Sequence, residues 1–300
     1  MNSKLISTGL WLGYVVIVII LLPSVASAWG PGAHIECSDF LLKNLILLAP
    51  AVRKLLKNHP FEFIYGSVCP DMVLGKRFMR PENCNHNWQV SLNLLNSAKG
   101  PRQKSFALGY LSHLAADTIA HNLFVPDQLL RNFDRRRRNH VMQELIFDAM
   151  LGDEVWKIAR LTAKKPFPDC EQLLHRHLPR TPLPNRINLK IFRSGVLLVR
   201  LGTWQRIIRR LRARWGEEMD TATMTPYLEA IHETVIDFMN DPLASPCLQR
   251  SPMGGHVLPA AHDLRKTLKR LNQQDRLVPE QHSSLLADFQ QWREQALFNQ

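Results

Sequence analysis

The sequence lacks the alternation of apolar and polar residues that marks half-buried β-strands, and it contains no internal repeat. These two absences exclude the usual patterns of β-sandwiches, β-barrels and repeat proteins. Apolar residues recur instead at helical spacing from Ser38 onward. With 45% hydrophobic and 21% charged residues, the composition is that of a globular protein with a packed core. The sequence therefore predicts an all-α fold.

Acidic residues are scarce relative to basic ones. The chain has 26 Asp and Glu residues against 38 Lys and Arg residues, which gives a formal net charge of +12. A basic surface favours anionic partners such as phospholipid headgroups or nucleic acid. The charge alone does not distinguish between these two partners.

One long apolar run occurs at the N-terminus, from Leu10 to Leu22. It follows Lys4 and precedes Pro23 and a stretch of small residues that ends at Ala28. This is the pattern of a secretory signal cleaved after Ala28, and an uncleaved membrane anchor is the alternative. We therefore expect an exported protein, periplasmic or secreted, that begins at Trp29 after cleavage.

Helical periodicity and proline positions divide the rest of the chain. The predicted helices are Ser38–Leu56, Gln103–Phe124 (halted by Pro126), Arg138–Ala163, Ile187–Trp215, Thr225–Asn240, Ala261–Asn272 and Glu280–Phe298. Residues 61–101 are expected to be irregular, and the proline-rich residues 166–184 to form a linker. The predicted organisation is a signal peptide over 1–28, a catalytic core over 29–165, and a helical C-terminal region over 166–300 packed on that core.

The strongest chemical motif consists of His113, Asp117 and His121 in an otherwise apolar segment. Side chains four residues apart lie on one face of a helix, so these three project to the same side. Burying such a polar stripe is costly without partners, and a coordinated metal ion would supply them. For one His–Asp pair alone, a hydrogen-bonded pair in the core is the alternative.

A second pair with the same spacing, His140 and Glu144, falls on the next predicted helix. Two antiparallel helices can present both sets of side chains to one space. Five nitrogen and oxygen donors exceed what one tetrahedral zinc ion normally takes from protein. The two motifs together favour a multinuclear site, in which the carboxylate of Asp117 is placed to bridge two ions.

Three weaker candidates lie upstream. Asp71 follows Cys-Pro at a tight turn, and His86 lies between two asparagines. A turn Asp is most often a local cap, so neither residue is a strong signal alone. The third candidate is the mature N-terminus, where the α-amino and carbonyl groups of Trp29 would chelate a metal together with His34.

These residues carry a resemblance to a known family. The segments Trp29–His34 and Gly109–Asn122, with the pair His140 and Glu144, resemble the zinc-dependent phospholipase C family. That family shares its fold and trinuclear zinc site with the single-strand-specific nucleases of fungi and plants. The Trp-Gly-x-x-x-His form is closer to the nucleases, and the His-x-x-x-Glu form is closer to the phospholipases. The resemblance spans about Trp29 to Met150, and it implies a multi-helix phospholipase C/nuclease-type bundle with a helical C-terminal extension.

The resemblance implies up to three Zn2+ ions. Their implied ligand sets are Asp71, His86, His113 and Asp117 for the first ion; His121, His140 and Glu144 for the second; and Trp29, His34 and the other oxygen of Asp117 for the third. Three residues lie between Asp117 and His121, whereas both related groups have five. This departure leaves the geometry of the second site open.

The resemblance also implies a reaction, the in-line attack of an activated water on a phosphodiester. Asp71 is implied as the general base, and no Ser, Cys or His nucleophile is indicated. The leading interpretation is an exported phospholipase C that acts on phospholipids. The alternatives are a single-strand-specific zinc nuclease and a non-catalytic, metal-stabilised protein that binds lipid or a surface.

Two further features have open interpretations. The basic amphipathic helix Ile187–Trp215 would lie on an anionic membrane as a peripheral contact, or would pack its apolar stripe on the core. Cys69 and Cys84 each precede a proposed ligand by two residues, and they would form either a disulfide or two buried thiols. The cysteine count of five leaves at least one thiol unpaired within the chain.

Overall fold

The computed structural model describes residues 30–72, 84–134, 147–148, 150–178, 187–188, 190 and 221–298. The regular structure of these residues is helical throughout, without a strand, which confirms the all-α prediction. The α-helices are α1 (Pro31–Lys43), α2 (Pro50–Asn58), α3 (Pro60–Val68), α4 (Trp88–Asn96), α5 (Pro101–Ile119), α6 (Val125–Arg131), α7 (Asp153–Ala163), α8 (Pro168–His177), α9 (Thr221–Asn240), α10 (Val257–Gln273) and α11 (Pro279–Phe298). No helix in these ranges has the length and apolar character needed to cross a membrane.

Helix α5 is the centre of the fold. Its residues are buried almost without interruption from Gln103 to Ile119. Helices α1, α3, α4 and α9 pack around it, so its side chains meet protein on every side. A helix surrounded in this way places any polar side chain in the interior, and His113 and Asp117 are such side chains.

Two glycines let α3 and α5 approach closely. A Cβ atom on Gly66 would lie 2.0 Å from the carbonyl oxygen of Phe106, and one on Gly109 would lie 2.0 Å from that of Phe63. The obstacle in each case is the backbone of the facing helix, which cannot move aside as a side chain does. This contact fixes the depth at which α5 sits against α3.

The prediction that Pro126 halts the central helix was wrong. After Ile119 the chain continues through one π-helical turn, Ala120–Phe124, and then directly into α6. The amide of Val125 donates to the carbonyl of Ala120 across this wider turn. Pro126 is then the second residue of α6, where a missing N–H and a fixed φ are tolerated.

The predicted first helix, Ser38–Leu56, is two helices. Helix α1 begins earlier, at Pro31, and ends at Lys43, and α2 begins at Pro50. A short 3₁₀ turn, Leu45–Leu47, lies between them. The guanidinium group of Arg53 donates to the carbonyl oxygens of this turn and of Leu48, which stabilises the break.

Proline-rich segments contain more helix than predicted. The segment expected to be irregular contains α3 and α4, and the expected linker contains α8. The predicted helix Arg138–Ala163 is interrupted at Gly152, the N-cap of α7. Of Ile187–Trp215 only residues 187, 188 and 190 are described, so its role as a membrane contact stays a prediction.

The three C-terminal helices α9, α10 and α11 confirm the predicted ones to within a few residues. Helix α9 contributes to the main core, which also contains α5. Helices α10 and α11 pack with α6 around a second apolar cluster that includes Val257, Leu268 and Phe289. The predicted division into a core and a C-terminal region stays a prediction.

Candidate metal centre

The carboxylate of Asp117 lies at the centre of a buried polar cluster. Its Oδ2 atom is 3.2 Å from Nε2 of His113 and 3.3 Å from Nε2 of His86. Its Oδ1 atom is 3.5 Å from Nε2 of His34. Neither oxygen accepts a hydrogen bond of normal geometry from the described residues, although both are fully buried. Such a carboxylate is costly unless a cation completes its environment.

His113 is oriented by a backbone group outside the cluster. Its Nδ1–H donates to the carbonyl oxygen of Ser67 at 2.8 Å, because a carbonyl can only accept. The lone pair of Nε2 is thereby directed into the cluster, where Nε2 of His86 lies 3.1 Å away. This is the arrangement of a metal-binding histidine, whose second nitrogen is held by a carbonyl or carboxylate.

His34 is carried by the first turns of α1. Its ring stacks on that of His113 with ring centroids 3.7 Å apart. The hydroxyl of Ser38, one turn later, donates to the carbonyl of His34 and lies 2.8 Å from the hydroxyl of Ser67. His34 faces Oδ1 of Asp117, whereas His86 and His113 face Oδ2.

Asp71 closes the cluster from a short 3₁₀ turn, Cys69–Met72. Its carboxylate lies 3.5 Å from Nε2 of His86 and 3.7 Å from Nε2 of His34. Its side chain is 11% exposed, whereas those of His34, His86, His113 and Asp117 are 1% exposed or less. Asp71 is thus the member of the described cluster nearest to solvent.

The turn that carries His86 is held on both sides. The hydroxyl of Tyr110 donates to the backbone carbonyl of Asn85, and the side-chain amide of Asn85 donates to the backbone carbonyl of Pro70. Asn87 caps α4 by accepting from the amide of Gln89 at 2.8 Å. These bonds explain why a polar loop sequence can place a histidine accurately in the interior.

The electrostatics of the cluster suit a divalent cation. Burial and, to a smaller extent, the neighbouring His113 lower the pKa of His34 to about 3, so the imidazole stays neutral. Burial raises the pKa of Asp117, but His113, His86 and His34 outweigh this effect and hold that pKa well below its usual range. Neutral imidazole and ionised carboxylate are the protonation states that bind zinc.

The nitrogen and oxygen donors also converge closely enough for a shared ion. Within the described residues, two groups of side chains place their ligand atoms within 4.8 Å of one another: His34, Asp71 and His113, and His86, His113 and Asp117. Two ligands at 2.0–2.1 Å from one tetrahedral zinc ion are separated by roughly 3.3 Å. The contacts around Oδ2 of Asp117 are close to this separation, so the residues fit zinc.

The other proposed ligands are not part of these groups. His121 is fully buried in the π-helical turn and belongs to neither group. Trp29, His140 and Glu144 lie outside the described residues. Cys69 and Cys84 are both buried, reduced thiols, so the disulfide between them is not formed.

Asp148 is a functional candidate that the sequence reasoning missed. Its buried carboxylate accepts hydrogen bonds from the amides of Gly32 and Ala33, both at 3.1 Å, immediately before His34. Burial raises the pKa of Asp148 to about 7, against the opposing effect of the two amides. Its position four residues after Glu144 continues the spacing of His140 and Glu144, and this signal could have identified it.

The C-terminal half also contacts the π-helical turn and the start of α4, which follows His86. The side-chain amide of Asn122 donates to the backbone carbonyl of Ser251 at 2.9 Å, and the indole N–H of Trp88 donates to the backbone carbonyl of Arg250 at 2.9 Å. Gly254, with φ at +78°, passes over His121, where a Cβ would lie 2.9 Å from the His121 carbonyl oxygen. Residues 250–255 therefore cover the π-helical turn.

Comparisons with known proteins agree with this chemistry. A family profile described as zinc dependent phospholipase C matches residues 33–179, about half of the chain. An uncharacterised protein of Archaeoglobus fulgidus is 36% identical over 72 residues, which cover 21% of this chain and 23% of that protein. The chain thus spans about a quarter of the length of that relative. No solved structure matches the chain significantly. Through residues 33–179, with the buried His and Asp cluster among them, the chain belongs to the zinc-dependent phospholipase C family.

Proposed function

We propose that the protein is an exported, zinc-dependent phosphodiester hydrolase that acts on phospholipids as a phospholipase C. The observation that carries the proposal is the buried carboxylate of Asp117, with His34 against one oxygen and His86 and His113 against the other. A carboxylate that serves two ions needs ligands gathered on both of its oxygens. Family membership supports a hydrolase, and this arrangement supports more than one zinc ion at its centre.

The proposed ligand sets follow the two sides of Asp117. His86, His113 and Asp71 would hold one ion with Oδ2, and His34 would hold another with Oδ1 together with the main-chain groups of Trp29. His121, His140 and Glu144 would hold a third. Zinc, when bound, polarises a phosphoryl oxygen and lowers the pKa of water.

The residues of the chain then have distinct tasks. His113, fixed by Ser67, and His86, fixed by its hydrogen-bonded turn, keep their imidazoles in place while the substrate binds. The buried, ionised Asp117 supplies negative charge without being reached by bulk water. Asp71, at the more exposed edge, is positioned to accept the proton of the attacking water and is the proposed general base.

Export and membrane contact complete the proposal. Cleavage after Ala28 would expose the α-amino group of Trp29, so that export itself would create one of the zinc ligands. The protein would then act in the periplasm or outside the cell. The basic segment Ile187–Trp215 is proposed as the peripheral membrane contact.

A single-strand-specific nuclease is the second candidate. It is favoured by the net charge of +12 and by the Trp-Gly-x-x-x-His form at Trp29. Purified mature protein loaded with zinc should release phosphorylated headgroups from phospholipid vesicles and leave single-stranded DNA intact. Cleavage of DNA without lipid hydrolysis would establish the nuclease instead, and zinc binding without either activity would indicate a non-catalytic, metal-stabilised protein.

A further inference from the structure

We infer that Asp148 is a positioning residue of the zinc site, which fixes the first turn of α1 and with it His34. This inference rests on the zinc centre of the proposed function but on no particular substrate. Helix α1 has no cap of its own, because its N-cap is Gly30 and no side chain of the N-cap accepts a hydrogen bond. The carboxylate of Asp148, 116 residues from Gly32 in sequence, takes that place.

The contact is bidentate and buried. Oδ2 of Asp148 accepts from the amide of Gly32 and Oδ1 from the amide of Ala33, each at 3.1 Å. Two parallel bonds fix both the position and the rotation of the helix start, whereas a single bond would leave the turn free to pivot. His34 is the next residue along this turn, so its Cα atom is placed directly by this contact.

Gly30 and Gly32 leave the space that the carboxylate of Asp148 occupies. A Cβ atom on Gly30 would lie 2.1 Å from Oδ2 of Asp148, and one on Gly32 would lie 2.7 Å from Oδ1. Both φ angles lie outside the left-handed region, so these glycines are required by space rather than by backbone conformation. The Gly-Pro-Gly sequence before His34 thus forms a cradle for one carboxylate.

By fixing the start of α1, the cradle fixes where the ring of His34 lies in the cluster. The ring of His34 stacks on His113 and directs Nε2 toward Asp117 and Asp71, at 3.5 and 3.7 Å. Ser38, through Ser67, anchors the second turn of α1 at a separate point. Asp148 adds the anchor on the N-terminal side, and it follows Glu144 by four residues. The contact of Asp148 with Gly32 and Ala33 therefore links the segment that follows the proposed ligands His140 and Glu144 to the segment that contains His34.

Zinc titration of variants tests this role without any substrate. We expect the zinc-free form of Asp148→Asn to remain folded and to bind zinc 10- to 100-fold more weakly at one or more sites, the range found for residues that orient metal ligands. The visible absorption of the cobalt-substituted protein should change as well. Asp127→Asn is the matched control, because Asp127 is also buried and hydrogen-bonded but lies in a separate contact with Tyr227 and Arg293. It should keep the zinc affinity and cobalt spectrum of the unaltered protein.

A pair of glycine variants gives an independent measurement. Gly30→Ala should weaken zinc binding as Asp148→Asn does, whereas Gly100→Ala should not, although Gly100 is likewise an N-cap before a proline. A Cβ on Gly100 meets nothing within 4 Å. In an Asp148→Ala background, Gly30→Ala should have no further effect on zinc affinity. Circular dichroism during the titration identifies any unfolded variant.

The outcomes separate this inference from the proposed function. Zinc affinity and cobalt spectrum unchanged in Asp148→Asn and Gly30→Ala would overturn the positioning role alone. Equal weakening in Asp127→Asn and Asp148→Asn would also overturn it, because it would show a general loss of stability. An unaltered protein that binds no zinc would contradict both the inference and the proposed function. Absence of lipid hydrolysis with normal zinc binding would contradict only the proposed substrate.

Discussion

At the scale of single residues, the protonation of His34 contributes to the response of the zinc-free protein to acid, and the raised pKa of Asp148 acts in the opposite direction. Burial holds the pKa of His34 at about 3, whereas the unfolded chain takes up the proton near 6.5. Between these two values the unfolded state binds one more proton than the folded state, so stability falls as the pH falls. Acidification from pH 7 to 4.5 should lower the free energy of unfolding by roughly 2 to 3 kcal/mol through this residue.

Urea unfolding of the zinc-free protein at both pH values measures this effect. His34→Gln should lose that part of the pH dependence, and His256→Gln, a change at an exposed histidine, should retain it. Equal pH dependence in the unaltered protein and in His34→Gln would show that His34 is not held neutral by burial.

The site residues differ in how well the sequence predicts them. His113 and Asp117 follow from helical spacing alone, because a polar stripe on a buried helix demands a partner. Asp71 and His86 lie on turns, where the local sequence made them weak candidates and only the family resemblance implied that they are ligands. The spacing of Asp148 after His140 and Glu144 hints at its face of the chain, but that spacing does not indicate its contact with α1. Its partners are backbone amides 115 and 116 residues away, and local sequence does not identify partners at that distance.

At the scale of helices, the close approach of α3 and α5 determines where the cluster forms. Gly66→Ala should lower the free energy of unfolding by about 3 kcal/mol, because the new Cβ meets the backbone of Phe106 at 2.0 Å. Gly100→Ala places its Cβ in open space and should change stability by less than about 0.5 kcal/mol. Thermal and chemical unfolding compare the two variants, and similar stabilities would contradict this account of the helix contact.

The helix boundaries show what proline can and cannot indicate. Proline is commonly taken to end a helix, but α1, α2, α3, α5, α8 and α11 all begin at one. Proline suits the first turn because its absent N–H would have no partner there and its φ is already helical. The same residue type thus marks opposite ends of a helix, and local sequence does not say which. The effect of Pro126 on the helix is harder still to predict from sequence, since the π-helical turn before it contains His121 and Asn122, whose side chains are buried in the interior.

At the scale of the whole molecule, a buried ion pair joins the C-terminal helix to the rest of the chain. Arg293 of α11 donates to Asp127 of α6 at 2.6 Å, and Tyr227 of α9 donates to the other oxygen of Asp127 at 2.7 Å. Arg293 is 7% exposed, so its removal would leave a buried carboxylate without its cation. Arg293→Met should therefore lower the free energy of unfolding by roughly 3 kcal/mol or more.

A surface pair supplies the control for this prediction. Lys266 and Asp263 lie 2.9 Å apart but are 78% and 75% exposed, and solvent screens their attraction. Lys266→Met should leave the unfolding transition where it is. Loss of stability of the same size in both variants would contradict the role of burial at Arg293.

The global arrangement was predictable in class but not in detail. Helical spacing predicted the all-α fold and placed α9, α10 and α11 within a few residues, because long amphipathic segments carry a strong periodic signal. It did not predict that residues 250–255 would cover the π-helical turn, since Asn122 and Ser251 are 129 residues apart. Contacts between distant loops depend on the assembled core, which local pattern does not encode.

The central claim is that the buried cluster around Asp117 holds the zinc on which catalysis depends. The most direct test is to measure the zinc content and the phospholipid hydrolysis of Asp117→Asn beside those of the unaltered protein, with Asp127→Asn as the control. We expect Asp117→Asn to lose zinc and activity together while remaining folded, and Asp127→Asn to keep both. Full zinc content in Asp117→Asn, or full hydrolysis without zinc, would contradict this claim.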